Sequence, residues 1–324
     1  MSIEVLSRIS RGEYLDIDTT SRIVEEIARD SMTEAQLGAI LMGLRLRGET
    51  PEEIAGFVKA LRKMAIKVPN KRLAIDVCGT GGDKSGSFNI STAVAFLVSH
   101  LGVPVAKHGN RAASSNCGSI DVVEALGISY QKDPEVVAKE IDEKGLSFIF
   151  APYFHPVIGK VSKIRKEMGI GTVFNLIGPL LNPANLKAQL IGVFSEELLE
   201  KMAEVARLLN MHRMVIVYGL MDHLDEVSVS GPTRVAFVEN SNIEYFVFNP
   251  QDVGLPIYPV ESIRGGGSEE NAEIIRRVLK GEGTDAQRDI VLLNTAFALW
   301  AAQEVKSIEE GLKVAGGGLD INLG

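Results

Sequence analysis

The sequence predicts an α/β protein in which a small N-terminal helical domain precedes a larger α/β domain with a central, mostly parallel sheet. Apolar residues recur at helical spacing through the first seventy residues. After residue 70, short runs rich in β-branched residues alternate with helical patterns, which is typical of strands joined by crossover helices. The 324 residues are too many for one typical domain. We therefore expect domains at 1–70 and 71–324, with helices from about 155–182 joining the small domain.

Helix start signals support the predicted helical domain. Ile23 and Ile27 are at helical spacing in one stretch. Thr33 is placed to cap the next predicted helix, and Thr50 followed by Pro51 can start a third, with two acidic residues behind them. The first seventy residues are therefore predicted to form a small helical bundle.

The larger domain begins with the buried-strand pattern "LAIDVC". Further strands are predicted at 146–151, 188–194 and 215–218. A long helix capped by Ser195 separates the last two. The segments "TRVAFVEN" and "IEYFVFN" predict an antiparallel hairpin near one edge of the sheet, and two helices, from Glu269 and from Ala286, are expected to close the chain.

A glycine-rich loop, "GTGGDKSG", follows the first predicted strand. Asn89 is placed to cap the apolar helix behind it. In a strand, loop and helix arrangement, unpaired main-chain N–H groups converge on an anion, and Ser91 and Thr92 would add hydroxyl donors. The string matches neither GxxxxGK[ST] nor GxGxxG. An ordinary strand-to-helix turn and a phosphate cradle both remain open.

Polar donors cluster after the next predicted strand. Lys107, His108, Asn110 and Arg111 follow an apolar run, and ligands bind at strand ends in open α/β sheets. The glycine and serine segment 114–119 precedes another apolar helix and predicts a second anion site, so that two phosphate groups would be bound. The alternative is that Lys107 and Arg111 are solvated and that His108 packs in the core.

Charge and cysteine content exclude several classes of protein. Lys and Arg number 34 against 42 Asp and Glu, a net charge of -8 that argues against a broad surface for nucleic acid or anionic membranes. The two cysteines have no spacing typical of zinc ligands or of a disulfide framework. The first residues are polar and acidic, and no apolar run is long enough to span a bilayer. We expect a soluble, cytoplasmic protein.

Five long segments together resemble the anthranilate phosphoribosyltransferase family, of the class IV phosphoribosyltransferase fold related to pyrimidine nucleoside phosphorylases. They are "GTGGDKSGSFNIST", "VAKHGNRAASSNCGSID", "FIFAPYFHPVIGKVSKIRKEMGIGTVFNLIGPLLNP", "LDEVS" and "GGSEENAEIIRRVLKGE". They occur in the family's order and spacing, between about Gly12 and Gly311. The resemblance implies a homodimer in which the substrates meet between the two domains of each subunit.

The resemblance also implies the reaction and its cofactor. The family transfers the 5-phosphoribosyl group of phosphoribosyl pyrophosphate to the amine of anthranilate, the second step of tryptophan biosynthesis from chorismate, with Mg²⁺ as two ions on the pyrophosphate. The residues matching its phosphoribosyl pyrophosphate contacts are Gly79, Thr80, Gly82, Asp83, Ser87, Asn89, Ser91, Thr92, Lys107 and Ser119. The residues matching its metal ligands are Ser91, Asp225 and Glu226. The residues matching its anthranilate contacts are Gly79, His108, Asn110, Arg165 and Pro179.

The residue types suit these roles, although each has a plainer interpretation. Arg165 can bind a carboxylate bidentately, and otherwise it would be a helix-surface arginine. Asp225 and Glu226 supply the oxygen ligands that Mg²⁺ prefers, and otherwise they would be a solvated surface pair. Asp83 could simply make an Asx turn. No residue is required as a general base, because the aryl amine is uncharged near neutral pH, and Tyr153 and His155 are expected only to line the channel.

Two other functions are alternatives to this interpretation. A pyrimidine nucleoside phosphorylase would bind a single phosphate without the metal-bound pyrophosphate. A non-catalytic relative would bind nucleic acid through a basic patch, which the acidic charge balance disfavours.

The sequence departs from the family at three places. Tyr218 occupies a place where the family commonly has histidine, and Cys78 replaces a plainer aliphatic residue. The ending "LKVAGGGLDINLG" replaces an expected polar helix, so that either the last helix is cut short or the tail is altered.

Overall fold

A seven-stranded sheet forms the centre of the protein. The computed structural model describes residues 2–83, 85–112 and 117–323. The strands are β1 (Ala74–Gly79), β2 (Val105–Gly109), β3 (Leu146–Phe150), β4 (Leu186–Gly192), β5 (Arg213–Gly219), β6 (Thr233–Glu239) and β7 (Asn242–Phe248). Their order is β3-β2-β1-β4-β5-β6-β7, with the first five parallel and β6 and β7 antiparallel. The predicted fold class is confirmed.

Helices cover the sheet and form the N-terminal bundle. They are α1 (Ser2–Ser10), α2 (Ile17–Ala28), α3 (Glu34–Arg47), α4 (Pro51–Met64), α5 (Ile90–His100), α6 (Ser119–Ala125), α7 (Pro134–Lys144), α8 (Ala151–Phe154), α9 (Pro156–Met168), α10 (Val173–Leu176), α11 (Glu196–Leu208), α12 (Ser268–Leu279), α13 (Asp285–Ala301) and α14 (Ile308–Gly317). Short 3-10 turns occur at Gly178–Leu181, Pro250–Val253 and Val260–Ile263. No helix in the described ranges has the length and apolar content needed to cross a membrane.

The local start signals act as the sequence indicated. The hydroxyls of Thr33 and Thr50 accept hydrogen bonds from main-chain N–H groups three residues on, and Ser195 caps α11 in the same way. The hairpin of β6 and β7 turns at Asn240 and Ser241, both with positive φ (50° and 64°), the geometry of a type I′ turn. Asn thus supplies one positive φ although the sequence lacks the favoured Asn-Gly pair.

The ends of the chain differ from the sequence-based expectation. The apolar spacing gave no separate signal for α1, which buries only Val5. The prediction that two helices close the chain is wrong, because α14 follows α12 and α13. Beyond α14, the N–H groups of Asp320 and Ile321 donate to the carbonyl of Leu279 at 2.9 and 2.8 Å. The unusual tail is therefore held against the end of α12.

Alternate residues of the central strands face two separate cores. Along β5, Val215 and Val217 lie in one core, while Met214 and Ile216 lie in the other. The second core also contains apolar residues of α2, α3, α4 and α9, which joins the N-terminal helices to one face of the sheet. Because β1, β2 and β5 run parallel, their carboxyl ends lie at the same end of the sheet, where the predicted glycine-rich loop leaves β1.

Candidate active site

The glycine-rich loop leaves β1 and is tied to two neighbouring segments. Gly81, Gly82 and Gly86 have φ values of +68°, +89° and +68°, a region where side chains are strained. The N–H of Gly81 donates to Oδ2 of Asp225 at 2.8 Å, and the N–H of Thr80 donates to the Gly192 carbonyl at 2.9 Å. These bonds bring the loop after β1 against the loop after β5, which are far apart in sequence.

Two glycines make room for the Asp225 segment. A Cβ on Gly79 would lie 2.2 Å from Oδ2 of Asp225, and a Cβ on Gly192 would lie 1.5 Å from its carbonyl oxygen. Neither position accepts a side chain without displacing Asp225. The interpretation of the opening loop as an ordinary strand-to-helix turn does not explain this close approach.

Asp225 and Glu226 are buried, with relative exposures of 9% and 8%. Burial, then repulsion from Asp83, raises the pKa of Asp225 to about 7. Burial, then repulsion from Asp225, raises the pKa of Glu226 well above its usual value, and Lys107 and the Ser91 N–H only partly offset this. The interpretation of the two acids as a solvated surface pair is therefore wrong.

Unpartnered oxygen atoms surround these carboxylates. Asp83 Oδ1 accepts a 3.4 Å hydrogen bond from the Ser85 N–H, which is the expected Asx turn. Its other oxygen, Oδ2, is buried and has no hydrogen-bond partner among the described residues, and the same is true of the hydroxyls of Thr80 and Thr92. Buried polar atoms without partners are rare in folded proteins, and at this edge of the sheet they indicate a polar ligand.

Lys107 is the cation of this site. Its side chain is buried, and its Nζ donates to the Val77 carbonyl at 2.7 Å and to the Ser91 hydroxyl at 3.1 Å. Burial lowers the pKa of Lys107, and the charge of buried Asp76 opposes that effect most strongly. The alternative of a solvated Lys107 is wrong, whereas Arg111 is exposed and pairs with surface acids.

Asn89 occupies the predicted capping position but makes no capping bond. Its Nδ2 donates to the Cys117 carbonyl at 3.3 Å, and its Oδ1 accepts from Asn271 at 2.9 Å. This corrects the prediction of a side-chain cap, because the amide is engaged between α12 and the segment before α6. Ser87 pairs through its main chain with Arg264 and so fixes the end of the loop.

The predicted second anion site is less open. Residues 114–116 of that segment lie outside the described residues, and Ser119 is the first residue of α6, with its hydroxyl donating to the Asn110 carbonyl at 3.4 Å. Oδ2 of Asp121 accepts from the N–H groups of Ala112 and Gly118, both at 2.9 Å. An acidic side chain thus occupies N–H groups that the sequence assigned to a phosphate.

Two buried histidines lie beside the end of β2. The rings of His108 and His155 meet edge to face, with centroids 5.3 Å apart. Burial lowers the pKa of His108 to about 3 and that of His155 to about 4, so both are neutral at pH 7. Nε2 of His108 is buried and without a hydrogen-bond partner among the described residues. Pro179 is buried in the neighbouring 3-10 turn, where its carbonyl accepts from Gln189 at 2.9 Å.

Arg165 lies on α9, on the side of the helical bundle. Its guanidinium carbon is 5.5 Å from the centroid of the Phe174 ring, and its Nη2 makes a weak 3.4 Å contact with Oδ1 of Asn175. Burial lowers its pKa. The structure brings Arg165 into no described hydrogen bond with His108, Asn110 or Pro179. Its guanidinium forms no ion pair with an acid of the described chain, which leaves it available to an anion.

Asp76 and Asn182 are further polar residues near Lys107 that were not predicted from the sequence. Asp76 is fully buried in β1, where Oδ2 accepts from Asn182 Nδ2 at 2.8 Å and burial raises its pKa to about 6. Its charge faces Lys107, so it helps to keep that lysine protonated. An acid inside the apolar run "LAIDVC" was the available signal.

Tyr218 and the two predicted metal-binding acids lie in or beside the loop that follows β5. The Tyr218 hydroxyl hydrogen-bonds to Nδ1 of His223, so the residue that departs from the family has a partner in the loop that follows its strand, β5. Within the described residues, no three His, Cys, Asp or Glu side chains are grouped to hold a metal ion by themselves. Any ion at Asp225 and Glu226 would therefore share ligands with a substrate or with water.

Known proteins resemble this chain along nearly its whole length. A glycosyl transferase family model for a helical bundle domain matches residues 3–65, and one for an a/b domain matches residues 71–320. The anthranilate phosphoribosyltransferase of Dictyoglomus turgidum is 55% identical over 95% of this chain and 92% of its own length. The crystal structure of the Thermus thermophilus enzyme has a TM-score of 0.89 at 40% identity, covering 98% of this chain and 94% of that one.

The enzyme from Saccharomyces cerevisiae is known with ligands. Its structure in complex with PRPP, which is phosphoribosyl pyrophosphate, and Mg has a TM-score of 0.87 at 29% identity and covers 98% of this chain and 93% of its own. Its structure with 4-fluoroanthranilate has a TM-score of 0.84 at 29% identity, with 98% and 94% covered.

Proposed function

Because this chain belongs to the anthranilate phosphoribosyltransferase family, we propose that the residues around Gly79 and Asp225 hold the substrates of that family's reaction. The chain transfers the 5-phosphoribosyl group of phosphoribosyl pyrophosphate to the amine of anthranilate and releases pyrophosphate, a step of tryptophan biosynthesis. The observation that carries the site assignment is the contact of the glycine loop with the buried Asp225 carboxylate, beside a second buried acid, Glu226.

Phosphoribosyl pyrophosphate is assigned to the glycine loop and the start of α5. The proposed contacts are Gly79, Thr80, Gly82, Asp83, Ser87, Asn89, Ser91, Thr92, Lys107 and Ser119. Unpartnered hydroxyls on Thr80 and Thr92 support this, because phosphate oxygens would satisfy them. Lys107 supplies a buried positive charge that neutralises phosphate oxygens.

The carboxylates fit magnesium. Asp225 and Glu226 are buried acids whose pKa values are raised, and Asp83 adds an oxygen without a partner, so a cation would relieve repulsion already present in the fold. We propose two ions on the pyrophosphate, one held by Asp225 and Glu226 and one by the Ser91 hydroxyl. When bound, magnesium supplies charge neutralisation for the leaving pyrophosphate.

Anthranilate is assigned to the side where β2 ends. The proposed contacts are Gly79, His108, Asn110, Arg165 and Pro179. The half-buried Arg165 lacks an acidic partner, which suits a bidentate bond to the anthranilate carboxylate. Neutral His108, with Nε2 unpartnered, can accept a hydrogen bond from the aryl amine and orient it.

These residues would catalyse the transfer by positioning and by electrostatics. Pyrophosphate departs from C1 as the amine approaches in line from the opposite face, so the carbon is inverted and passes through an oxocarbenium-like state. Lys107 and the loop N–H groups stabilise the negative charge that develops on the leaving group. The amine loses its proton only as the bond forms, so no dedicated base is needed, and holding the two substrates together accounts for much of the acceleration.

Exposed apolar residues support a homodimer as a further part of the proposal. On α1 and α3, Ile3 and Leu46 are each 75% exposed and Met42 is 40% exposed. An apolar surface of this kind is typical of a protein interface. We propose that residues 1–70 and the helices within 155–182, which pack together through α2, α3 and α9, form one domain that moves against the rest of 71–324. The two cysteines, whose spacing is not typical of a disulfide framework, suit the cytoplasm as the proposed compartment.

Phosphorus NMR tests the function and the site together. Protein mixed with phosphoribosyl pyrophosphate and Mg²⁺ should release pyrophosphate only when anthranilate is present, and Asp225→Asn should lose this activity. Lys63→Gln, at an exposed position on α4, is the matched control and should keep it. Release that does not depend on anthranilate, or phosphorolysis of a pyrimidine nucleoside at a similar rate, would contradict the proposal.

A further inference from the structure

A second cavity lies at the end of the sheet where the strands begin, opposite the candidate active site. Its volume is about 420 Å³, within the range of small-molecule sites. Its walls are the last turns of α4, the segment that begins β1, the start of β4 and the turn between α11 and β5. These are amino ends of strands, whereas the substrates are assigned to the carboxyl ends. The cavity is therefore separate from the substrate site.

Basic residues line this cavity. Lys59, Arg62, His212 and Arg213 are among its lining residues, and the described lining includes no Asp or Glu. Lys59 and Arg213 already have partners, since they pair with Asp18 at 3.3 Å and with Glu239. The cavity thus has an excess of positive charge beyond these two pairs.

Arg62 is the cation without a partner. Its side chain makes no hydrogen bond or ion pair with any residue in the described part of the chain. Burial lowers the pKa of Arg62, and the pKa of nearby Lys67 is lowered by burial and then by the charge of Arg62. A half-buried guanidinium without a counter-ion is uncommon, because desolvation without an ion pair is costly.

Apolar side chains and the amides of Asn185, Gln189 and Asn210 form the rest of the lining. Leu73 is 55% exposed, and Met211 and Met214 also line the cavity but are 9% and 1% exposed. Methionine packs well against flat rings. We propose that this cavity binds a small organic anion, an aromatic carboxylate, with its carboxylate on Arg62 and its ring against Leu73 and Met211.

This ligand chemistry has two possible sources, a second molecule of anthranilate or another aromatic carboxylate. The inference does not depend on the transfer reaction, because it concerns binding at the opposite end of the strands from the substrates. A probe that lacks an amine cannot take part in the transfer reaction, so its binding is measured apart from turnover. 2-Naphthoate is suitable because it carries one carboxylate on a flat, apolar bicyclic ring and is itself fluorescent.

The experiment is a fluorescence titration of 2-naphthoate with the intact protein. Arg62→Gln should weaken binding about tenfold or more, the value of a charge-assisted bidentate bond. Lys63→Gln changes the next residue, an exposed cation on the same helix, and should leave binding unchanged. His212→Glu places an acid at an exposed position on the cavity rim and should also weaken binding, which keeps the test valid if Arg62→Gln fails to fold.

Arg165→Gln and competing anthranilate separate the two sites. If the probe occupies the new cavity, Arg165→Gln leaves its affinity unchanged. Displacement of the probe by anthranilate from the Arg165→Gln protein would then identify anthranilate itself as a ligand of this cavity, and lack of displacement would favour another aromatic carboxylate. The inference is overturned if the parent protein does not bind 2-naphthoate at millimolar concentration. It is also overturned if binding survives both Arg62→Gln and His212→Glu, or if it is lost in Arg165→Gln.

Discussion

Gly79 and Asp225 are in such close contact that a Cβ on the glycine would lie 2.2 Å from Oδ2 of the aspartate. The two residues are 146 positions apart in sequence. Gly79 is the last residue of β1, and Asp225 lies in the loop after β5. The same carboxylate accepts the N–H of Gly81 at 2.8 Å. The glycine loop and the proposed metal ligands therefore form one unit, and a change in either should alter both.

Gly79→Ala should disturb this unit directly. The added methyl must push the Asp225 carboxylate away, and overpacking of this kind costs about 1–3 kcal/mol of stability. We expect a lower Tm and a large fall in kcat, measured by thermal unfolding and steady-state kinetics. Gly267→Ala, where nothing lies within 4 Å of the new Cβ, is the matched control. Equal activity of the two variants would show that the contact does not matter.

Glu226→Gln should separate stability from activity. The pKa of Glu226 is higher in the folded protein than in the unfolded chain. Its contribution to the free energy of unfolding therefore becomes less favourable as the pH rises from the usual pKa of a glutamate through the folded pKa. At pH 8 without metal, the neutral amide should therefore raise Tm, and this gain should shrink as the pH is lowered toward 5. Activity should fall on the order of a hundredfold, as when a group that stabilises the transition state is lost. A metal-free variant less stable than the parent at pH 8 would argue against a strained acid.

Arg165→Ala should act mainly on anthranilate. The guanidinium has no acidic partner among the described residues, so its removal leaves no buried acid unpaired and should change Tm little. Loss of a bidentate carboxylate bond should raise KM for anthranilate roughly tenfold to a hundredfold. KM for phosphoribosyl pyrophosphate should remain nearly constant, and Arg165→Lys should restore only part of the affinity. An equal rise in both KM values would place Arg165 elsewhere.

The buried histidines should make the fold sensitive to acid. His155 accepts a proton near pH 6.5 when unfolded but only near 4 when folded, so its contribution to stability is complete above 6.5 and is lost as the pH falls. At pH 5 the loss is roughly 2 kcal/mol. His155→Gln should therefore flatten the decline in Tm between pH 6.5 and 4.5. Exposed His100→Gln is the control and should keep the parent slope.

The titration of Asp76 changes stability with pH in the opposite direction, and it does not affect the comparison of the histidine variants. Its folded pKa is about 6, above its usual 3.8, so its contribution favours the folded state at low pH and is lost as the pH rises through 6. Parent and both histidine variants retain Asp76. The difference between their pH profiles therefore reports the histidine alone, and identical profiles would show that His155 is not kept neutral by burial.

Local patterns predicted those parts of the fold that local physics controls. Thr33, Thr50 and Ser195 cap their helices because a hydroxyl needs only the next turn as its partner. Asn89 shows the limit of this reasoning, since its amide finds Asn271, 182 positions away, and leaves its own helix uncapped. Helix α1 has a weak signal because only one of its side chains is buried.

The acidic part of the candidate site could be predicted only through the resemblance, because its residues become buried only in the folded protein. Taken alone, Asp225 and Glu226 indicate a solvated pair, and their burial depends on the glycines of two other strands. Lys107 is likewise buried because Val77 and Ser91 accept its hydrogen bonds. Asp76 had a signal in the sequence, an acid within an apolar run, but its partners Asn182 and Lys107 come together only in the folded sheet.

The most direct test of the central claim follows anthranilate fluorescence as purified protein is mixed with phosphoribosyl pyrophosphate and Mg²⁺. The account predicts a loss of fluorescence that requires every component, stops on addition of EDTA and falls sharply in Glu226→Gln. Folded protein that binds phosphoribosyl pyrophosphate but leaves the fluorescence unchanged would contradict it. The same conclusion would follow if Glu226→Gln matched the parent rate.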